Sequence, residues 1–178
     1  MRFGSWRYVG LLGGVAVAYF LAAELGLSLA SVHTNVSPVW PPTGIAIAAL
    51  LIFGRRLWPA VFAGALVANI WTQVAFPVAL GIAIGNTLEA VAAHYLLTRR
   101  SPFDHSFNSI RSVLKFVLVA VVFSPMISST IGNVSLCLGD EAQWANFGQL
   151  WLTWWLGDGF GALIVAPLLL SWEALWKI

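Results

Sequence analysis

Four groups able to hold or pass a proton stand inside long apolar stretches of this sequence: Glu24, Glu89, His94 and Asp158. A charged acid at the centre of a bilayer costs roughly 3 kcal/mol on insertion scales, so such residues face a bundle interior or water and mark candidate sites. Asp158 has the richest neighbourhood. Trp151, Trp154, Trp155 and Asp158 follow the i, i+3, i+4, i+7 spacing of a single helical face. Gly157, Gly159 and Gly161 around it admit close approach by a backbone or a ligand. Three indoles above one carboxylate can hold a cation or a flat organic group. The plainer reading is an aromatic rim with one acid paired to a neighbouring helix. Asn86 and Glu89, three residues apart, are neighbours on another helix surface, with His94 nearer that helix's end. Asn69 is the unusual member of a seam of small residues at Ala60, Gly64, Ala68 and Thr72. Gly81 and Gly85 read as a packing pair. Ser124, Ser128 and Gly132 share a face beside Pro125, but helical serines usually bond to their own backbone.

No catalytic framework accompanies these groups. The sequence holds no P-loop, no Gly-x-Ser-x-Gly, no His-Glu-x-x-His and no cysteine pair, Cys137 standing alone. His33, His94 and His105 fall at different depths of the expected topology, which rules against a shared metal or a bis-His haem. Glu89, His94 and Asp158 remain as the candidates for a membrane enzyme. The chain alone is expected not to be an enzyme and to need no cofactor or metal.

The elements that must position these residues follow from composition. Of the 178 residues, 60% are hydrophobic and 9% charged, against about 25% charged in a soluble domain. That excludes a soluble globule, a disordered chain and a nucleic-acid binder, and leaves an all-α integral membrane protein in contact with lipid. Six segments suit transmembrane helices, near 8–30, 37–54, 58–75, 77–97, 112–135 and 149–172. The first is too long and too poorly flanked for a cleaved signal peptide. With six spans every Arg and Lys falls on one side, which the positive-inside rule makes the cytoplasm. Both termini are then cytoplasmic, and Asp140 and Glu141 lie outside. The whole chain, 1–178, reads as a single membrane-embedded domain.

The second span is broken at its start. Asn35 to Thr43 reads NVSPVWPPT. Pro41 and Pro42 inside a helix would each remove a donor and clash with the preceding turn, and Trp40, ahead of a proline, is pushed towards extended geometry. A regular helix is predicted from about Pro42 to Phe53, with residues 35–41 extended at membrane depth. Backbone of that kind must be buried in protein or line a wet cavity. We therefore expect Trp40, Thr43, Trp154, Trp155 and Asp158 to line one outward-facing pocket for a small-molecule ligand. Asn35, Pro41, Pro42, Asn69, Asn86, Glu89 and Trp151 complete the candidate site.

Three stretches together carry a family resemblance: Asn35-Val-Ser-Pro-Val-Trp-Pro-Pro-Thr-Gly-Ile-Ala, Gly54-Arg-Arg-Leu-Trp-Pro, and Trp154-Trp-Leu-Gly-Asp-Gly-Phe-Gly with Ala166-Pro-Leu-Leu. They resemble the MASE1 family of bacterial membrane-associated sensor domains, from about residue 30 to 172. The resemblance implies a multi-pass domain of the bacterial inner membrane that detects an undefined signal. It also implies a cytoplasmic output partner, a histidine kinase of a two-component system or a diguanylate cyclase, and a homodimer formed through that output domain. The family's domain usually continues with further membrane helices after the Trp-Trp-Leu-Gly-Asp segment. The chain is therefore read as a truncation, a short member or part of a longer protein. A second function stays open from size and helix number alone: a substrate-capture or transport subunit, similar in organisation to the vitamin-binding subunits of energy-coupling transporters.

Overall fold

The computed structural model describes residues 5–29, 36–100 and 103–175. They form helices and connections, with no β-strand among the described residues. Helix α1 runs Ser5–Ser28, α2 Pro41–Phe53, α3 Trp58–Trp71, α4 Phe76–Thr98, α5 Ile110–Phe116, α6 Pro125–Leu138 and α7 Phe147–Leu175. A π-helical stretch, Val117–Phe123, joins α5 to α6. The three make one apolar rod, Ile110–Leu138.

Among the described residues four rods are long and apolar enough to cross a bilayer: Trp6–Ser28, Phe76–Thr98, Ile110–Leu138 and Trp144–Glu173. Helices α2 and α3, with 13 and 14 residues, reach only about 20 Å at 1.5 Å per residue, short of a hydrocarbon core of about 30 Å. The sequence suggested six spanning segments of fuller length, and local chemistry explains the shortfall. Pro41 and Pro42 occupy the first two positions of α2, where a missing N–H removes no intrahelical bond. Trp40 before them stays out of the helix at φ −122°, ψ 80°. Helix α3 stops at Trp71, and Gln73 takes a left-handed φ of 64° that no right-handed helix continues through.

The helices pack as two layers of three. Helices α1, α2 and α7 form one layer, and α3, α4 and α6 the other. Across the layers α1 rests on α3, α2 on α4 and α7 on α6, so α2 and α4 are the central members. Their contact faces are built largely on alanine: Ala46, Ala60, Ala65, Ala68, Ala83, Ala90, Ala93, Ala162 and Ala166 are all buried. Small side chains let helices approach closely where no hydrophobic effect drives them together.

Charged groups separate to the two ends of the bundle. At one end the Tyr8 hydroxyl donates to the Arg56 carbonyl at 2.8 Å, the Lys115 ammonium donates to the Leu97 carbonyl, and His105 Nδ1 meets Glu173 Oε2 at 3.0 Å. The described basic residues, Arg7, Arg55, Arg56, Arg99, Arg100, Arg111 and Lys115, belong to this end. At the other end Glu141 accepts the Ala75 N–H at 3.2 Å, and Trp144 stacks on Phe147.

The extended segment before α2 is held by α7. The Trp40 N–H donates to the Gly157 carbonyl at 3.0 Å. Ser37 turns its hydroxyl to the Val39 carbonyl at 2.9 Å. A Cβ on Gly157 would lie 2.2 Å from the Ser37 carbonyl oxygen, and one on Gly161 would lie 1.9 Å from that of Trp40. Only glycine permits backbone this close, and α2 with α7, like α4 with α6, is among the most extensively packed helix pairs of the described residues.

Candidate functional site

The break that shortens α2 also delivers Thr43, in its first turn, to the middle of the bundle. Thr43 Oγ1 lies 3.0 Å from Asp158 Oδ1 on α7 and 3.5 Å from Glu89 Oε2 on α4. The Ser128 hydroxyl on α6 reaches Asp158 Oδ2, with the Pro125 carbonyl as a second acceptor at 3.2 Å. Asp158 and Ser128 are 0% exposed, Glu89 1% and Thr43 4%, so four helices contribute to a cluster closed from solvent. Thr43 has one proton to donate and two carboxyl oxygens to choose between. Donating to Asp158 ties α2 to α7 within its layer. Donating to Glu89 ties α2 to α4 across the layers.

A second ring of polar groups surrounds the pair without completing its bonds. The Tyr19 hydroxyl, from α1, faces both carboxyls and lies beside Trp40 and Asn86. Among the described residues the buried Tyr19 hydroxyl, Trp40 Nε1, both amide atoms of Asn86 and Glu89 Oε1 make no hydrogen bond of full geometry, although Tyr19 stands against the Trp40 and Asn86 side chains. Native interiors leave few such atoms, and each one asks for an explanation. Here five of them border one carboxyl pair.

Trp154 stands beside Asp158, one turn earlier on α7. Its ring occupies the space that a Cβ on Gly132 would need, at 2.5 Å. Trp151 and Trp155 turn to the other side. Their rings stack at 6.1 Å, and their indole N–H groups donate to Thr130 Oγ1 at 3.0 Å and the Val122 carbonyl at 2.9 Å. Four residues at i, i+3, i+4, i+7 cover an arc of about 100°, wide enough to meet two neighbours. One indole, not three, thus accompanies the carboxylate. The Val122 carbonyl sits in the π-helical stretch, where the Ser124 N–H bonds five residues back to Val119 at 2.9 Å. Pro125 removes the next donor.

The other candidates fall elsewhere. Asn69 bonds back to Ala65 of its own helix at 2.8 Å. Pro41 and Pro42 open α2. His94 lies near Arg55 at the basic end. Glu24 is part-buried on α1. Asn35 and His33 lie outside the described residues. Instead of an outward pocket, Trp40, Thr43, Trp154 and Asp158 share a closely packed centre: a Cβ on Gly44, next to Thr43, would lie 2.3 Å from the Gly161 carbonyl oxygen. Sequence reasoning missed Tyr19, an aromatic in an apolar helix with nothing to mark it. It read Ser128 as bonded to its own helix, whereas the hydroxyl also reaches Asp158. Among the described residues no three His, Cys, Asp or Glu side chains converge as metal ligands.

An apolar helical bundle with its charges at two ends and a closed polar cluster inside defines a helical membrane domain with a buried site. The chain belongs to the MASE1 family, which it matches over residues 11–177. MASE1 is a membrane-associated sensory domain, not a catalytic one. The chain is also 24% identical over 161 residues to the "Probable diguanylate cyclase DgcE" of Escherichia coli (strain K12). That alignment covers 88% of this chain and 14% of the relative, so the chain spans about one seventh of that protein's length. No solved structure matches it significantly.

Proposed function

We propose that this chain is the sensory input domain of a longer signalling protein of the bacterial inner membrane. Its sensing element is the Thr43, Glu89, Ser128 and Asp158 cluster, with Trp40, Asn86 and Trp154 around it. Its output is a cytoplasmic enzyme, a diguanylate cyclase as in the relative or a histidine kinase, which dimerises. The domain is a single unit that crosses the membrane six times with both ends in the cytoplasm. The gathering of basic residues at one end supports that topology through the positive-inside rule. The extended segment before α2 supplies the length that α2 lacks.

The observation that carries this reading is the set of incompletely bonded buried groups at the crossing of both layers. A two-state element needs two arrangements of similar energy. The Thr43 hydroxyl, poised between carboxyls on two helices, offers them. Helix α7 carries Asp158 and runs on to Leu175 at the basic end, so a change of packing at Asp158 is passed along one rigid element.

Asp158→Asn in the full-length protein tests this. The amide keeps the volume and is no harder to bury, so insertion and abundance stay at the wild-type level. Basal output changes and its response to the signal is lost. Wild-type regulation of the cytoplasmic enzyme at equal membrane abundance contradicts the proposal.

A further inference from the structure

We infer that the ligand of this cluster is the proton: the Glu89 and Asp158 carboxyls form a shared proton-binding site whose occupancy sets the packing of α2. The inference rests on the sensory reading and names what is sensed.

Space comes first. The glycines that line the cluster already touch neighbouring atoms: Gly44 meets Gly161, Gly161 meets Trp40, and Gly132 meets the Trp154 ring. Helices packed this closely around the pair favour a small occupant such as a proton or a monatomic ion. Charge comes second. Both carboxyls are buried and meet across one hydroxyl. The described arginines and lysines stand in connections or in the first two turns of helices at the basic end. Two like charges so close in a low dielectric do not both persist, and a proton shared between them removes the repulsion. The groups facing the pair are few. Among the described residues Tyr19 on α1 is the further titratable one. Helices α2 and α6 supply the Thr43 and Ser128 hydroxyls, α7 the Trp154 indole and α4 the Asn86 amide, and the 36–40 segment supplies the Trp40 indole and backbone.

Hydrogen counting comes third. Thr43 and Ser128 offer two protons to four carboxyl oxygens, and Glu89 Oε1 receives none. A proton from water on Glu89 makes that carboxyl a donor and leaves the Thr43 hydroxyl bonded to ionised Asp158. A proton on Asp158 instead makes Glu89 the better acceptor, and Thr43 turns to α4. No covalent bond other than O–H changes, and the proton returns to water on release.

The test is pH-difference infrared spectroscopy of the full-length protein in phospholipid vesicles, followed through the carbonyl stretch of protonated carboxyls. The titration runs from about pH 5 to about pH 9. The expected wild-type result is a band lost in two coupled steps as pH rises, with a single step in both Glu89→Gln and Asp158→Asn at wild-type abundance. A band that does not change with pH, or one that loses no step in either variant, overturns the proton site. A band that responds to sodium at fixed pH and not to pH also overturns it, in favour of an alkali cation. Output measured in the same vesicles separates the two readings. A titrating pair with output indifferent to Asp158→Asn overturns the sensory role and leaves the proton site. An output altered by that variant, with no titrating band, does the reverse.

Discussion

Gly157 and Gly161 on α7 share a four-residue spacing with Gly10 and Gly14 on α1, and their surroundings are opposite. On α7 both positions hold the carbonyl oxygens of the 36–40 segment so close that a Cβ would overlap them. On α1 a Cβ would meet nothing within 4 Å. Gly10 and Gly14 instead line an apolar trough of about 940 Å³, together with Ala48 and Ala49 of α2 and Trp172 of α7. A pair of small residues one turn apart licenses close approach but does not create it. The proline-broken segment before α2 presents bare carbonyls to α7, and a regular helix has none to present. The same break frees Thr43 to reach the carboxyl pair, so the tightest seam and the candidate site are one construction.

The largest effect is expected from Gly161→Ala. Its methyl would meet the Trp40 backbone, which the Gly157 hydrogen bond holds in place. Overpacking of this kind costs about 1–3 kcal/mol, visible as a lower midpoint of denaturation in detergent and reduced membrane abundance. Gly81→Ala sharpens the comparison at an intermediate level. The atoms in its way belong to the Ser135 side chain and not to backbone: the hydroxyl at 2.1 Å and the Cβ at 2.9 Å. A loss of about 1 kcal/mol is expected, and Ser135→Ala in the same chain recovers part of it, since the Cβ at 2.9 Å remains. That non-additive pair marks a direct contact. The smallest effect belongs to Gly14→Ala. With open space around it, the variant is expected to match the wild type or gain about 0.5–1 kcal/mol from the lower backbone entropy of alanine. A clear loss there would break the comparison and mean that the α1 face has a partner.

These contrasts show where the sequence was readable. Hydropathy located all six helical segments, because apolar length is a local property. The prolines at 38, 41 and 42 announced the break for the same reason, since each removes a donor wherever it stands. Thr43, Glu89 and Asp158 were legible as polar groups at depth, and the structure joins them. What a linear reading could not resolve is which of several similar features meet in space. Trp151, Trp154 and Trp155 share an arc wide enough to divide between two neighbours. Gly10, Gly81 and Gly157 begin identical spacings with three different outcomes. Tyr19 becomes a polar-site residue only through α1 packing on α2 and α3. The Trp155 indole meets a carbonyl of the π-helical stretch 33 residues away in sequence, a contact that no local signal announces.

The central claim is that Thr43 acts through the carboxyl pair to couple α2 to α7. A double-mutant cycle on signal-dependent output measures it most directly, with Thr43→Val, Asp158→Asn and the double variant in the full-length protein at equal membrane abundance. The account predicts that each single change impairs regulation and that the double variant is no worse than Asp158→Asn alone, because both remove one interaction. Effects that simply add, or a Thr43→Val protein regulated like the wild type, would contradict it.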